Sequence, residues 1–408
     1  MVVTELLDGR FVPWEKSLDW ESYLDLYCLA LMKRGHEPVK YVPSIGVSTT
    51  QAYRHKFGHV VKRVPCYNRL IAPRSLLRRR EYSGGSTTVF RQALGPAFTL
   101  NLLREAIRDR IQLLHYSSYY SSFFVPAFMA SALVPNVTQY TGGALPAGGA
   151  ARFYWRASII PSLASTRAVL LGDYRTESKT LIHDLGVPKA KQEFFNAPIV
   201  DSSVFHELDK RDCQRELGFD PGKKNILCVS FIPRKHSDFL AKDPYSMTDV
   251  LRAAVDAGGD DIVTRVAGWG AGEEELSEYV RARGMTERIH LLGHVEHSRL
   301  ASYYSASDLV FVPYPLERLN EGSVTAEAFA CSRPVTAFKR REGVEEDQQG
   351  GFLIDNEPKR GGAALLRNLR RPGYLEEKGK EAGKLAQEYT LEAAGRRLEE
   401  IYSKVVRQ

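Results

Sequence analysis

Two carboxylates beside a run of small residues make Leu319–Val335 (LNEGSVTAEAFACSRPV) the stretch best suited to chemistry. An apolar run, Leu309–Pro313, precedes it and reads as a buried strand closed by Pro313 and Pro315. Glu321-Gly322-Ser323 then reads as a turn, and Thr325–Cys331 as a helix start. A strand, a small-residue turn and a helix N-terminus make an anion site. The N–H groups of Ser323, Val324 and Thr325 point at the turn from the positive end of the helix dipole. Glu321 and Glu327 frame that site and suit hydroxyls better than phosphates. A ligand carrying both phosphates and sugar hydroxyls satisfies both halves. The alternative for the same residues is a Ser/Thr-capped helix with solvated glutamates.

The order of an acidic-Gly turn and then Glu-Ala-x-Ala-x-x-x-Pro-Val (Glu327 to Val335) resembles the donor-binding segment of the retaining glycosyltransferases of GT-B fold, family four. The resemblance implies an α/β chain of two Rossmann-like doubly wound domains facing across a cleft. It also implies a nucleotide diphosphate sugar as donor, a hydroxyl acceptor and retention of configuration. That family usually keeps seven residues between its two glutamates. Here five separate Glu321 from Glu327, and Glu317 is the alternative first carboxylate.

The elements that must position this site follow an α/β rhythm. A strand-like Val2–Leu7, a helix ending near Arg34 and a strand Val39–Val42 open a first doubly wound domain. Leu31-Met32-Lys33-Arg34-Gly35-His36-Glu37 matches a turn that recurs here in the resembling family. Ile111–Tyr116 and Pro135–Gly143 read as strands whose carboxyl ends place His115, Tyr140, Thr141 and Gly142 along the acceptor side of a cleft. The family commonly has a His-Gly pair at the second of these ends, where Tyr140-Thr141-Gly142-Gly143 stands instead. Phe194–Phe205 resembles the family's crossing between domains. The expected division is therefore 1–199, 200–385, and a final helix 386–408 returning to the first domain.

A second series starts with the apolar strand Asn225–Phe231, followed by Arg234 and Lys235. A basic pair after a strand suits a diphosphate, Arg as a planar fork and Lys as a compact charge. The family has Gly-Arg after this strand and a lysine several residues later, so the pair is shifted. A basic surface turn is the alternative. Gly268-Trp269-Gly270-Ala271-Gly272 ends the next strand, and Gly293-His294-Val295 ends the one after, where the family passes its nucleotide base. In these roles Glu327 binds ribose hydroxyls, Glu321 contacts the donor sugar, and Gly268 and His294 line the donor site. Arg234, Lys235 and the helix N-terminus stabilise the leaving diphosphate.

Composition narrows the alternatives. The 408 residues suffice for two domains, and five cysteines without paired spacing read as reduced core residues of a cytoplasmic protein. Ile111–Ala151 has no charged residue, but Pro126, Pro135 and Pro146 interrupt it, against a membrane span. The net charge of +7 is uneven: residues 1–200 hold 25 Lys/Arg against 14 Asp/Glu, and residues 201–408 hold 31 against 35. Within 40–110 the counts are 14 and 3, including Arg78-Arg79-Arg80. That stripe reads either as a solvated face or as a patch for an anionic membrane surface beside a lipid-linked acceptor. Nucleic-acid motifs are absent. No Asp-x-Asp cluster marks the cleft segments, so neither a metal nor a cofactor is expected as a requirement. The rivals are a nucleotide-sugar epimerase, which needs no acceptor, and a non-catalytic scaffold of the same fold. A dinucleotide enzyme is disfavoured, because Gly268–Gly272 lacks the Gly-x-Gly-x-x-Gly spacing.

Overall fold

The computed structural model describes residues 2–3, 23–44, 47–65, 87–118, 133–140, 163, 165–171, 186–195, 198–235, 242–319 and 322–407. The chain forms two compact units: Met1–Ala197 with Leu391–Gln408, and Pro198–Thr390. No helix among the described residues is long and apolar enough to cross a membrane.

Among the described residues the first unit has eight strands: β1 (Val2–Val3), β2 (Val39–Ser44), β3 (Gln51–Arg54), β4 (Val60–Pro65), β5 (Leu114–Ser118), β6 (Asn136–Tyr140), β7 (Ala168–Leu171) and β8 (Gln192–Phe194). They lie in the order β3-β4-β2-β1-β5-β6-β7-β8. All neighbours pair in parallel except β3, which runs antiparallel to β4 at the sheet edge. Parallel strands joined through helices are covered on both faces, so β7 (AVLL) is buried at every residue. Helix α1 (Tyr23–Met32) buries Leu24, Tyr27, Cys28 and Leu31, the stripe its spacing predicts. Helix α2 (Thr87–Arg108) carries Glu105, which with Asp109 just beyond the helix pairs with Lys62.

The second unit has β9 (Lys224–Val229), β10 (Ile262–Ala267), β11 (Ile289–Gly293), β12 (Leu309–Leu316), β13 (Val335–Lys339), β14 (Asp347–Gln348) and β15 (Gly351–Ile354), in the order β11-β10-β9-β12-β13-β15-β14. Its helices are α3 (Lys210–Leu217), α4 (Pro244–Asp256), α5 (Glu273–Ala282), α6 (His297–Ala306), α7 (Ser323–Ala330), α8 (Pro358–Arg370) and α9 (Tyr374–Leu385). Alternate residues of β9 face opposite layers. Ile226 and Cys228 pack with Val250, Leu251 and Leu365, whereas Leu227 packs with Tyr304, Ala326 and Phe329. The strand order reverses between β9 and β12. In doubly wound sheets that reversal opens a crevice beyond the strands' carboxyl ends.

Strand β12 corrects one expectation, since it runs through Pro313 and Pro315 to Leu316. Its register with β13 slips between Val312 and Pro315, and β9 pairs with it only at Leu309 and Val310. The prolines therefore sit at a bulge where no ladder N–H is required.

The last helix, α10 (Leu391–Arg407), belongs to the first unit. Gly395 lets it approach the Ala30 carbonyl of α1, Arg34 pairs with Glu399, and Arg397 reaches Glu193 at 2.9 Å. His115 corrects a second expectation. It is the second residue of a strand that continues to Ser118, not a strand end, and it is fully buried. Its Nδ1 lies 2.6 Å from the Tyr402 hydroxyl of α10, and its ring stacks on Tyr27. It is a packing residue of this core.

Burial holds His115 neutral, with its pKa pushed down to about 3, and His55 likewise to about 4. Both folded values lie below the ordinary 6.5. The unfolded chain therefore binds more protons as pH falls through 6.5, and that stability is lost progressively toward the folded values. The first unit should lose stability from about pH 6.5 down to about 4 to 3, and the upper part of that decline lies above the range of ordinary carboxylates. Denaturant midpoints measured against pH should show the decline, and His115→Asn should flatten it. An unchanged slope in that variant would refute the assignment to burial.

Candidate functional site

The reversal between β9 and β12 brings together two loops and a helix N-terminus. After β9, residues 230–235 pass along the sheet top, and the chain returns at Lys242 and Asp243 to start α4. Asp243 caps α4 through its side chain, accepting from the Ser246 N–H at 2.9 Å. Its own N–H donates to the Pro313 carbonyl of β12 at 2.6 Å. That bond ties the start of α4 to the neighbouring strand, and Lys242 is thereby fixed at the switch point. Burial pushes the Lys242 pKa down. A desolvated ammonium at a sheet's carboxyl end gains most from an arriving anion.

On the other side of the reversal, α7 begins after Gly322, whose φ of 91° favours glycine and where a Cβ would collide with the Tyr314 hydroxyl. The N-cap is Gly322, which has no side chain to cap α7, so among the described residues its first-turn N–H groups are left to the turn. Ser323 is exposed, and Gly322 and Val324 are half-buried. Thr325 is fully buried. Glu321 lies outside the described residues.

Glu327 is held in place, not solvated. Tyr304 of α6 donates its hydroxyl to Oε2 at 2.8 Å, and His297 Nε2 lies 3.6 Å from Oε1. Burial and the facing carboxylate drive the Tyr304 pKa well above its usual value, so it remains the donor. With one oxygen so occupied and the side chain 13% exposed, Glu327 keeps acceptor capacity for hydroxyls. Glu317 is engaged elsewhere, bonded to Arg341 at 3.2 Å. Eight residues before Glu327 stands Leu319, buried in the core.

Lys235 rests against α5. Its ammonium lies 4.1 Å from the ring centroid of Tyr279 on α5, and its N–H donates to Glu275. Arg234 beside it is exposed. Lys242, directly before the Asp-Pro start of α4, is a partly buried cation that the sequence reading did not single out. Gly268 and His294 lie at the ends of β10 and β11, joined by the Gly268 N–H donating to the Gly293 carbonyl at 2.8 Å. In the first unit, Thr141 and Gly142 lie outside the described residues, as does the side chain of Tyr140. So does the Arg78-Arg79-Arg80 cluster, while Lys40 and Lys62 of the basic stripe are buried in ion pairs.

One further cluster was invisible in sequence. Asp25, His55 and His59 are buried with ligand-type atoms within 4.8 Å of one another. The cation among them is the Lys40 ammonium, 2.7 and 2.8 Å from the two Asp25 oxygens, with His59 Nε2 3.0 Å from Oδ1.

Residues 223–371 match the family described as glycosyl transferases group 1. A D-inositol 3-phosphate glycosyltransferase of Segniliparus rotundus is 30% identical over 200 residues, covering 48% of this chain and 43% of that protein. The chain thus matches less than half the length of that relative. The solved sucrose-phosphate synthase of Thermosynechococcus elongatus superposes with a TM-score of 0.69 at 16% identity, covering 94% of this chain and 92% of that one. Anabaena HepE in complex with UDP gives 0.68 at 14% identity, covering 99% and 98%. At such identities the likeness establishes the fold, which is GT-B.

Proposed function

We propose that this chain, a GT-B protein whose residues 223–371 form a group 1 glycosyltransferase domain, transfers a sugar from a nucleotide diphosphate sugar to a hydroxyl acceptor. The observation that supports the reading is Glu327 on α7, held by the buried Tyr304 hydroxyl at 2.8 Å, one turn into a helix that starts at the glycine turn after β12. Lys242, at the start of α4, is the partly buried cation nearest in sequence to the end of β9 that this reading adds. Lys242 and the N–H groups of Ser323 and Val324 take the diphosphate, whose negative charge grows as the glycosidic bond breaks. Glu327 accepts the ribose hydroxyls. That HepE was solved with UDP supports a nucleotide donor in this fold.

The donor-sugar carboxylate is Glu321. The family spacing points at position 319, where a buried leucine stands, and Glu317 is tied to Arg341. Glu321 alone adjoins the Gly322 turn. The acceptor is lipid-linked, and the basic stripe of the first unit, centred on Arg78-Arg79-Arg80, draws the chain to the cytoplasmic membrane surface. The transfer proceeds with retention.

A panel of UDP-, GDP- and ADP-hexoses with glycolipid acceptors tests this, reading released nucleoside diphosphate. Glu327→Gln keeps an acceptor for Tyr304 but loses the charge. It should lower kcat/KM by about 10- to 100-fold, the worth of a charge-assisted hydrogen bond. Equal turnover by the variant would remove Glu327 from the donor site. Consumption of donor without any acceptor dependence would favour the epimerase instead.

A further inference from the structure

Trp269 is half exposed, an uncommon position for so large an apolar surface, and its backbone is among the most constrained in the unit. Beyond the ends of β9 and β10 the two chains stay paired. Ser230 donates to the Ala267 carbonyl at 3.0 Å, Ile232 to Trp269 at 3.1 Å, and Gly272 back to Ile232 at 3.1 Å. Gly268 and Gly270 allow this approach, because a Cβ at either would strike the Ser230 or Ile232 carbonyl oxygen. Phe231 presents its ring at 75° to the indole, with centroids 6.3 Å apart, and props it from the neighbouring strand. The result is a rigid aromatic face, half in solvent, at a strand's carboxyl end.

Its place in the sheet gives it a partner. From β12, which leads to α7, the strands run β9, β10, β11, so Trp269 follows a strand two places, about 10 Å across the sheet, from β12. Glu327 points the same way, since it contacts His297 at the start of α6, the helix that follows β11. A nucleotide with its phosphates at α7 and its ribose at Glu327 therefore carries its base towards the ends of β10 and β11. We infer that Trp269 is the stacking platform on which the nucleobase of the donor lies, braced by Phe231. The inference rests on the nucleotide-sugar reading above. Stacking accepts any base, so Trp269 supplies affinity for nucleoside diphosphates as a class and leaves base choice to polar groups near His294.

The test is calorimetric titration of the full chain with UDP, GDP, ADP and inorganic pyrophosphate. Trp269→Ala should weaken the binding of each nucleoside diphosphate that the unsubstituted chain binds by about 5- to 100-fold. It should leave pyrophosphate unchanged, and Trp269→Phe should recover most of the loss. Unaltered nucleotide affinity in Trp269→Ala overturns the inference while the donor site stands. An equal loss for pyrophosphate overturns it as well, because a base platform cannot act on a ligand without a base. An unsubstituted chain that binds no nucleoside diphosphate defeats the donor reading itself.

Discussion

Lys242→Ala should lower kcat by about 10²- to 10³-fold, as removal of one charge-stabilising donor from a preorganised site does. It should do so with no loss of melting temperature. The ammonium is already desolvated and its pKa depressed, so the folded apo chain gains nothing from it. In the proposed reaction its partner is the diphosphate, which becomes most charged in the transition state. The effect should therefore fall on kcat as well as on donor affinity. Arg234→Ala and Lys235→Ala supply the contrast. Exposed cations are worth roughly 0.2–1 kcal/mol, less than about fivefold, and Lys235 already rests on Tyr279. Steady-state kinetics of the three variants, with melting curves, separate the roles. A larger loss from Lys235→Ala than from Lys242→Ala would restore the basic pair as the leaving-group site.

Asp25→Ala should destabilise the first unit by about 3–5 kcal/mol, because it strands a charged lysine in the core. Asp25 is wholly buried and Lys40 is 5% exposed, with both hydrogen bonds of the pair well formed. His59 leans on the same oxygen, so its ring loses its partner too. Replacing both charges by apolar groups, Asp25→Leu with Lys40→Met, should recover most of the loss, since a buried pair contributes little net stability over a packed apolar core. Denaturant titration of the single and double variants measures this. A single-variant cost below 1 kcal/mol would mean that water or another group takes over the charge.

Much of the second unit was legible in the sequence because its determinants are local. The apolar run into Val312, the glycine before α7 and the Glu-Ala-x-Ala stretch each act within a few residues of themselves. The residues misjudged depend on distant partners. His115 reads as a strand end until Tyr402, far along the chain, is packed against it. Asp25, Lys40 and His59 meet only when α1, β2 and the β3–β4 turn are assembled. Lys242 drew no attention in sequence because Arg234 and Lys235 stand nearer the strand, and the bond from Asp243 to β12 that fixes its backbone joins residues 70 apart in the chain.

The most direct measurement is the thermal stability of the full chain with UDP, GDP and ADP and their hexose derivatives, beside Glu327→Ala. A nucleotide at a hundred times its dissociation constant adds about 2.7 kcal/mol, which raises the melting temperature of a unit of this size by several degrees. A rise with one nucleotide class, lost in Glu327→Ala, is the expected result and names the base. No rise with any nucleotide, at concentrations up to the millimolar range, would contradict a working donor site and leave the chain a scaffold that keeps the fold without the chemistry.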